Sequence, residues 1–462
     1  MQFVRSVPAA ILLAVLSAAA RADTPPRRPN ILIIVGDDLG HADVGFHGCT
    51  DIPTPHLDRL ARDGVRFTSG YVSGPYCSPT RAGLLTGRYQ TRFGHEFNPA
   101  SADSGLPLAE VTLADRLAAA GYATGLVGKW HLGGTAEMHP QRRGFADFYG
   151  FLGGAHDYFD RAGILRGTEP VAKLDYTTDD FGREAVDFIR RQNGKPWFLC
   201  LAFNAVHTPM QATEDRLARF AGITDPQRRT YAAMMVAMDD AVGRVREALA
   251  ATGQDRDTLV AFISDNGGPT MPGTTGNGSR NAPLRGSKRT TLEGGIRVPF
   301  VVAWPGRVEP GVYERPVIQL DLHATALAAA GVEPLPEWRL DGVELLPFLS
   351  GARKDAPHDA LYWRFGGQNA IRAGGWKLVR YDATVDGDRG AGVVGPRLYD
   401  LEADVGEARD LAATMPDKVR DLQACWDAWN EANVAPLRGQ GDRGGPRRPA
   451  GDGRRRRSAA TP

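Results

Sequence analysis

Acidic and amide side chains close two apolar runs of the sequence, where they could bind a metal ion. Asp37 and Asp38 end the run NILIIVGDD, and Asp265 and Asn266 end the run TLVAFISDN. Carboxylate and amide oxygens are hard donors that suit Ca²⁺ or Mg²⁺, whereas zinc prefers clustered His and Cys ligands. These residue types therefore predict an oxygen-donor site for a divalent cation.

Cationic side chains and histidines occur in the same kind of position. Lys129 and His131 follow the apolar segment YATGLVG, and His207 follows PWFLCLAFNAV. Arg81 and Lys288 add positive charge, and the two histidines can carry protons near neutral pH. A divalent cation surrounded by cationic donors is typical of a pocket for a tetrahedral oxyanion, either phosphate or sulfate.

Cys77 opens the polar, proline-containing stretch CSPTRAGLLTGR, which we expect to form an accessible turn. The four cysteines of the chain have no regular spacing, so they do not indicate a disulfide framework. A Cys77 thiolate beside Arg81 would be a strong nucleophile. A soft thiolate is nevertheless a poor partner for an oxygen-donor metal site, so the residue types favour an oxygen nucleophile without identifying it.

Strands that alternate with helices must position these residues. Apolar runs at NILIIVG, YATGLVG, PWFLCLAF and TLVAFIS alternate with helical patterns, which predicts an α/β fold with a mostly parallel sheet. In such a sheet ligands bind beyond the carboxyl ends of the strands, which the candidate residues follow. After about residue 350 the pattern changes to short aromatic strands and a helix near 415–432. We therefore expect a catalytic domain over 23–350 and a smaller C-terminal α+β domain over 351–435.

The two ends of the chain differ from the rest in composition. Residues 1–22 contain Arg5, an apolar run and an Ala-Arg-Ala site, which predicts a secretory signal and a periplasmic or secreted protein without a transmembrane segment. Residues 436–462 are rich in Arg, Gly and Pro, which predicts a disordered tail. The 462 residues carry a net charge of +1, so we expect no nucleic-acid partner.

The stretch CSPTRAGLLTGR, from Cys77 to Arg88, resembles the signature of the formylglycine-dependent sulfatases. The blocks VGDDLG, GKWHLG, AFNAVHTPM, ISDNGG and PLRGSKRTTLEGGIRVPF extend the resemblance, and GWKLVRYD and RLYDLEADVGEARDLA resemble the second domain of the family. Together they cover the chain from about Asn30 to about Ala412. It points to arylsulfatase-like and N-acetylgalactosamine-6-sulfatase-like relatives in the alkaline-phosphatase-type superfamily. It implies a large mixed, mostly parallel sheet sandwiched by helices, with a smaller C-terminal α+β domain.

The resemblance also implies a role for each candidate residue. The implied ligands of a single Ca²⁺, with Mg²⁺ as the alternative, are Asp37, Asp38, Asp265, Asn266 and residue 77. Cys77 would be oxidised to formylglycine by a formylglycine-generating or equivalent maturation enzyme, and its hydrate would attack sulfur. Arg81 would orient that group, Lys129 and Lys288 would bind sulfate oxygens, and His131 would hydrogen-bond the hydrate. His207 would protonate the leaving alcohol of a sulfated sugar or aryl sulfate.

Two other functions remain open from the residues alone. A phosphomonoesterase or phosphodiesterase of the same superfamily would share the acidic metal ligands, although a second metal site and a Ser or Thr nucleophile are not evident. A chain with unconverted Cys77 would be a non-catalytic polyanion-binding protein. Four further residues, His95, Glu96, His156 and Asp157, stand in loops on the pocket side, and we expect them to form a substrate-binding rim.

Overall fold

The computed structural model describes residues 28–192, 194–272 and 274–437 with their side chains, and the backbone of residues 439–440. The strands are β1 (Asn30–Gly36), β2 (Val65–Phe67), β3 (Gly70–Tyr71), β4 (Asn98–Pro99), β5 (Ala123–Lys129), β6 (Asp147–Phe151), β7 (Leu165–Arg166), β8 (Glu169–Pro170), β9 (Trp197–Ala202), β10 (Thr258–Ser264), β11 (Phe300–Ala303), β12 (Gly311–Tyr313), β13 (Val317–Ile318), β14 (Ala360–Phe365), β15 (Gln368–Ala373), β16 (Trp376–Asp382), β17 (Val393–Asp400) and β18 (Gly439–Gln440). The helices are α1 (Pro55–Asp63), α2 (Cys77–Thr86), α3 (Leu113–Ala119), α4 (Thr177–Arg191), α5 (Glu214–Arg219), α6 (Pro226–Ala251), α7 (Glu293–Ile296), α8 (Leu320–Ala329), α9 (Leu346–Leu349) and α10 (Pro416–Asn430).

A mixed sheet forms the centre of the larger part of the molecule. Its strand order is β12-β2-β11-β10-β1-β9-β5-β6-β7-β8. The consecutive neighbours β10, β1, β9, β5 and β6 pair in parallel, and β11 joins antiparallel to β10. The expected α/β architecture with a mostly parallel sheet is therefore confirmed, and the carboxyl ends of four central strands meet at one edge.

Strand β1 shows how this sheet is buried on both faces. Ile31, Ile33 and Val35 pack into one apolar layer, which includes residues of α2, α3 and α8. Leu32 and Ile34 point to the opposite face and pack with residues of α1, α4 and α6. Because its alternate side chains enter two apolar cores, such a strand has a continuous apolar sequence, as β1 does.

Helix α2 differs from the expected accessible turn. It begins at Cys77, and all of its residues are buried. It ends at Gly87, which has φ of 71° and donates its N–H to the carbonyl of Gly83 at 2.8 Å, an end that favours glycine. The accessibility expected of this segment is therefore wrong, because tertiary packing against the sheet overrides its polar composition.

The C-terminal part is an antiparallel sheet in the order β14-β15-β16-β17, which confirms the expected smaller second unit. Leu422 and Trp426 of α10 pack against its outer apolar residues. Its inner side joins the main part, since Trp363 Nε1 donates to the carbonyl of Val72 at 2.7 Å. Lys377 of β16 forms buried ion pairs of 2.9 Å with both Glu293 and Glu407.

The predicted signal peptide, residues 1–22, lies outside the described residues, as does most of the predicted tail, residues 436–462. Within that tail, β18 pairs antiparallel with β4. In the part of the chain that is described, no helix combines the length and apolar character needed to cross a membrane. The four cysteines form no disulfide.

Candidate active site

The carboxyl edge of the central strands brings the candidate residues together. Asp37 and Asp38 follow β1, and Asp265 and Asn266 follow the neighbouring β10. Lys129 ends β5, and the segment leading to His207 follows β9. The N-terminus of α2 adds Cys77 and Arg81, and the loop before α7 adds Lys288. Residues distant in sequence thus converge because neighbouring parallel strands end at the same edge.

Each carboxylate of this cluster is paired with a cation. Lys129 Nζ donates to Asp37 Oδ2 at 2.6 Å. Lys288 Nζ lies 2.6 Å from Asp38 Oδ1 and 2.8 Å from Asp38 Oδ2. Arg81 donates from Nε and Nη2 to Asp265 Oδ2, at 3.0 and 2.8 Å. Buried charges need such partners, because removal from water is otherwise too costly.

Two oxygens of the cluster remain unpaired among the described residues, and they fit a metal site. Asp37 Oδ1 and Asn266 Oδ1 are buried without a hydrogen-bond partner. Ligand atoms of Asp37, Asp38, Cys77 and His207 lie within 4.8 Å of one another. Hard oxygens left unsatisfied beside buried carboxylates are the donors that Ca²⁺ takes, so the residues present fit that ion.

The pKa values of the three carboxyls show how crowded the cluster is. Burial alone would raise the pKa of Asp37, but Lys129 and other neighbours hold it below its ordinary value. The pKa of Asp38 also lies below its ordinary value, because Lys288 and other neighbours outweigh the effect of burial. Burial and the charge of Asp37 raise the pKa of Asp265. A divalent cation would relieve the repulsion between these groups.

Cys77 is 0 % exposed and is the first residue of α2. Burial raises the pKa of its thiol to about 12, although Lys129 and Lys288 act in the opposite direction. The unmodified side chain is therefore a neutral thiol at neutral pH, and a thiol is a weak nucleophile.

The two histidines of the site differ in their contacts. Burial, together with the charges of Lys129 and Arg81, holds the pKa of His131 well below its ordinary value, so the ring is neutral. Its Nδ1 is buried and has no partner within the described residues. His207 Nδ1 lies 2.6 Å from the carbonyl of Thr208, and Nε2 lies 3.6 Å from Asp38 Oδ2. The first contact fixes the ring, and the second places Nε2 beside the carboxylate cluster.

A cavity of about 630 Å³ opens onto this cluster. Its lining residues are Tyr76, Asn98, Pro99, Ala100, Ser101, Ala102, His131, Gly133, Gly134, Leu152, Gly153, Gly154, Ala155, His207, Thr275 and Lys288. Most of them are small or polar. The cavity is of the size that small-molecule sites have, and its wall leaves room for a sugar ring.

His95 and Glu96 lie outside this lining and make internal contacts instead. His95 Nε2 lies 2.7 Å from Ser78 Oγ, and Ser78 Oγ donates to the carbonyl of His131 at 2.6 Å. Glu96 accepts from Arg364 Nε at 3.0 Å. Both side chains are buried and border a smaller cavity of about 400 Å³. Their position behind α2 favours support of the Cys77 segment over a place on the rim.

His156 and Asp157 are likewise engaged within their own loop. The His156 ring nitrogens lie 2.6 and 2.8 Å from the carbonyls of Asp157 and Ala162. Asp157 Oδ2 accepts from Gln211 Nε2 at 2.6 Å. The neighbouring Ala155 lines the cavity, whereas these two side chains do not.

The sequence reasoning missed several residues that line the cavity. Asn98 lies in the lining, and its Oδ1 accepts the backbone N–H of Ser78 at 3.1 Å, which ties the cavity wall to α2. Tyr76 directly precedes Cys77, and the Lys288 ammonium lies 5.4 Å from its ring centroid. The position of Tyr76 beside the signature was the one available signal. Nothing in the composition of the glycine-rich loop 152–155 marked it as a cavity wall.

Comparisons with known proteins agree on one family. The model described as Sulfatase matches residues 29–332, and the model described as N-sulphoglucosamine sulphohydrolase, C-terminal, matches residues 286–423. The chain is 36% identical to N-acetylgalactosamine-6-sulfatase of Sus scrofa over 397 residues, covering 79% of this chain and 74% of that protein. It is 36% identical to arylsulfatase A of Homo sapiens over 472 residues, covering 90% of each.

A solved structure is similar over nearly the same extent. The crystal structure of Ps i-CgsB in complex with k-i-k-neocarrahexaose matches with a TM-score of 0.82 and 35% sequence identity. The match covers 89% of this chain and 95% of that one. The similarity therefore includes both the main sheet and the C-terminal sheet.

Proposed function

This chain belongs to the sulfatase family, and from that premise we propose that it hydrolyses sulfate monoesters of a carbohydrate, using formylglycine made from Cys77 and one Ca²⁺. The observation that supports this most is the meeting of Asp37, Asp38, Cys77 and His207, whose ligand atoms lie within 4.8 Å of one another. An oxygen nucleophile at position 77 suits that set of donors better than sulfur does.

In this proposal Ca²⁺ and formylglycine supply the chemical groups, and the surrounding side chains hold them in place. Asp37, Asp38, Asp265 and Asn266 would hold the Ca²⁺, which supplies charge stabilisation to sulfate oxygens, while hydrated formylglycine at position 77 supplies the nucleophilic hydroxyl. Arg81 orients residue 77 from a fixed place, because Asp265 and the carbonyl of Lys129 hold its guanidinium.

The two buried lysines, Lys129 and Lys288, bind the sulfate group in this proposal. Lys129 and Lys288 carry positive charge into a site where water is excluded, so their attraction for sulfate oxygens is strong. Burial acts against the charge of Lys288, but Asp38 outweighs it and raises the pKa of Lys288 well above its ordinary value. Its amine therefore stays protonated, which also prevents it from condensing with an aldehyde at position 77.

Two histidines move the protons. The neutral His131 has an unpaired Nδ1 that can accept a proton from a hydroxyl at position 77. His207, oriented by the carbonyl of Thr208, donates a proton to the oxygen of the departing alcohol. A sugar alcohol needs that proton, because its alkoxide is a poor leaving group.

The substrate class is supported by the cavity and by the relatives. The names of two similar proteins refer to carbohydrates. One is N-acetylgalactosamine-6-sulfatase, and the other is Ps i-CgsB, whose crystal structure is of a complex with k-i-k-neocarrahexaose. In this chain Asn98, Ser101 and Thr275 offer polar contacts between small residues that leave space for a ring. We propose in addition that the protein is exported by residues 1–22 and matured by a formylglycine-generating or equivalent enzyme.

A panel of esters tests this function. Enzyme in which the mass of the residue-77 peptide has been verified is assayed on sulfated monosaccharides, 4-nitrophenyl sulfate and the matching phosphate esters. We expect the enzyme to hydrolyse the sulfate esters, including the sugar sulfates, and we expect this activity to require Ca²⁺. Faster hydrolysis of the phosphate esters would instead assign the chain to the phosphoesterase branch of the superfamily.

A further inference from the structure

Asn98 caps the helix that begins at Cys77, although it lies in a different element. The first N–H groups of a helix have no partner within it, and Tyr76, which precedes α2, provides no side-chain acceptor for them. Asn98 Oδ1 instead accepts the N–H of Ser78 at 3.1 Å. The backbone of Asn98 belongs to β4, which pairs with β18. The amide group is therefore held in a fixed place beside the position of the proposed nucleophile.

This contact decides which way the Asn98 amide faces. A backbone N–H can bond only to an acceptor, so the amide oxygen must point to Ser78 and the nitrogen away from it. Nδ2 carries two N–H groups, and neither has an acceptor among the described residues. Asn98 is 8 % exposed and lines the 630 Å³ cavity, and Nδ2 is not enclosed by protein. The unpaired donor therefore meets the space that a substrate would fill.

A neutral amide suits a cavity that receives an anion. None of the described lining residues is Asp or Glu. An aspartate at position 98 could also accept the N–H of Ser78, but its charge would repel a sulfate group held beside residue 77. Asparagine provides the same acceptor without that charge, and it adds a donor that an ionised aspartate lacks.

The groups of the proposed mechanism leave this donor available to the sugar. A sulfate monoester has three non-bridging oxygens and one bridging oxygen. Lys129, Lys288 and Ca²⁺ would bind the three non-bridging oxygens, and His207 would protonate the bridging one. A further donor on the cavity wall can then bind an oxygen of the sugar itself, which an aryl sulfate does not have.

We propose that Asn98 is a specificity determinant whose Nδ2 donates a hydrogen bond to a hydroxyl oxygen of the sugar that carries the scissile sulfate. The inference rests on the proposed function and deepens it, because it names a side chain that favours sugar sulfates over aryl sulfates.

The test is a cycle of changes to the enzyme and to the substrate. Wild type and Asn98→Ala are assayed on the sulfated monosaccharides that wild type cleaves, and on analogues in which one hydroxyl at a time is replaced by hydrogen. One hydrogen bond of this kind is worth about 2- to 10-fold. At one hydroxyl position, wild type should prefer the parent sugar over its deoxy analogue by that factor in kcat/KM. Asn98→Ala should lose this preference.

The same measurements separate the donor from the cap. Loss of the cap on α2 would shift residue 77 for every substrate, so it would lower kcat/KM on 4-nitrophenyl sulfate and on the deoxy analogue alike. Loss of the donor adds a further decrease on the parent sugar alone. Asn433→Ala is the matched control and should keep the wild-type preference, since Asn433 Oδ1 accepts from Thr91 at 2.8 Å and does not line the cavity.

Two results would overturn the proposal. One is an equal decrease on all substrates in Asn98→Ala, which would leave only the role of the cap. The other comes from wild type alone and so does not depend on whether the variant folds: no deoxy position lowers kcat/KM by the stated factor.

Failure of the proposed function gives a different result. If wild type cleaves no sulfate ester, that function is wrong, and binding of galactose 6-sulfate and its deoxy analogues is then measured by calorimetry. Wild type should still prefer the parent sugar to one of the analogues, and Asn98→Ala should not. The same preference in both proteins, or no binding by wild type, would overturn the role of Asn98.

Discussion

The thiol of Cys77 is buried, and its pKa is raised to about 12 by burial. It stands among three carboxylates that are themselves paired with lysine and arginine. A neutral thiol contributes neither a charge nor a hard oxygen to that cluster. Under the proposed conversion, formylglycine at position 77 would supply the missing oxygen, and the neighbouring side chains are already arranged around that position in the folded protein.

Replacing Cys77 should abolish activity without unfolding the chain. Cys77→Ala and Cys77→Ser remove the precursor of formylglycine and change the volume of the side chain little, so we expect a folded protein with no sulfatase turnover. Circular dichroism and thermal unfolding report the fold, and peptide mass analysis of active wild type should show a sulfur-free aldehyde at residue 77. Full activity from material that contains only intact cysteine would contradict the proposed nucleophile.

The effect of His207→Ala should depend on the leaving group. General-acid assistance is worth about 10²–10⁴-fold, and a sugar alcohol needs it while an acidic phenol can leave as its anion. We therefore expect a loss of that size in kcat/KM on a sugar sulfate and a much smaller loss on 4-nitrophenyl sulfate.

His156→Ala is the control for this measurement. His156 is half-buried, its ring nitrogens lie near backbone carbonyls, and it does not line the cavity. The His156→Ala variant should leave the ratio of kcat/KM on the sugar sulfate to kcat/KM on 4-nitrophenyl sulfate unchanged. An equal loss on both substrates in His207→Ala would mean that His207 binds sulfate, and Lys288 would then be the next candidate for the acid.

Strand β16 is tied to helix α7 by a buried charge cluster. Lys377 lies 2.9 Å from a carboxylate oxygen of both Glu293 and Glu407. Glu407 Oε2 also accepts the backbone N–H of Glu293 at 2.7 Å. Since Lys288 lies in the loop that leads into α7, this cluster connects the C-terminal sheet to the segment that carries Lys288.

Lys377→Met should destabilise the protein strongly. It keeps the length of the side chain but leaves the buried Glu293 carboxylate, and that of Glu407 when it is ionised, without their cation. Breaking a buried pair costs about 3–5 kcal/mol. Urea unfolding measures the loss, and the exposed Lys354→Met is the control, with an expected effect near zero. A loss in Lys377→Met no larger than in the control would show that the cluster carries no net stability.

The same cluster gives stability a pH dependence. Burial, with the charge of Glu293, raises the pKa of Glu407 from 4.5 to about 7, so the folded state holds an extra proton between these values. The stabilising contribution is complete below pH 4.5 and is lost as pH rises through 7. The pKa of Glu293 is lowered from 4.5 to about 2, so its own contribution to the pH dependence of stability lies below pH 4.5.

Glu407→Gln should remove that dependence. The free energy of unfolding of wild type, minus that of the variant, should decrease as pH rises from 5 to 7. Urea titrations at several pH values measure the difference. A difference that stays constant or increases over this range would contradict the raised pKa.

The elements were predictable where one physical signal dominated. Strands β1, β9 and β10 are apolar runs, and α6 begins at Pro226 after Asp225, whose side chain accepts two backbone N–H groups. Helix α2 was not predictable as a buried element, because its surroundings decide its burial and most of its own residues are small or polar.

The molecule as a whole is organised around one sheet edge, and the proposed metal site depends on that arrangement. Asp37 and Asp265 come from strands that are adjacent in the sheet but more than two hundred residues apart in sequence. A cation bound between them would favour the folded over the unfolded chain, since only the folded chain assembles its ligands.

If Ca²⁺ binds there as proposed, its removal should lower stability as well as activity. Binding to the folded state alone contributes about 2.7 kcal/mol at a ligand concentration 100 times Kd. Chelated wild type should unfold at a lower temperature, and added Ca²⁺ should restore both the midpoint and turnover. Asp38→Ala should show no restoration. Unchanged rate and midpoint after exhaustive chelation would rule out the oxygen-donor site.

The location of the candidate site could be predicted from the strand ends, and its outer wall could not. Asp37 and Lys129 are placed by regular strands, so their convergence follows from topology alone. His95 and His156 lie in loops, whose side chains turn inward or outward according to local hydrogen bonds such as the contact between His95 and Ser78. Sequence carries little information about those contacts.

The burial of Cys77 imposes an order of events in time. Every residue of α2 is enclosed by the fold, so an oxidising enzyme has no route to the thiol once the chain has collapsed. If Cys77 is converted as proposed, the conversion belongs to the period when the chain is still extended, during synthesis or before export is complete. Protein that folds first is then permanently inactive, and the specific activity of a preparation reports how folding and oxidation competed in the cell that made it.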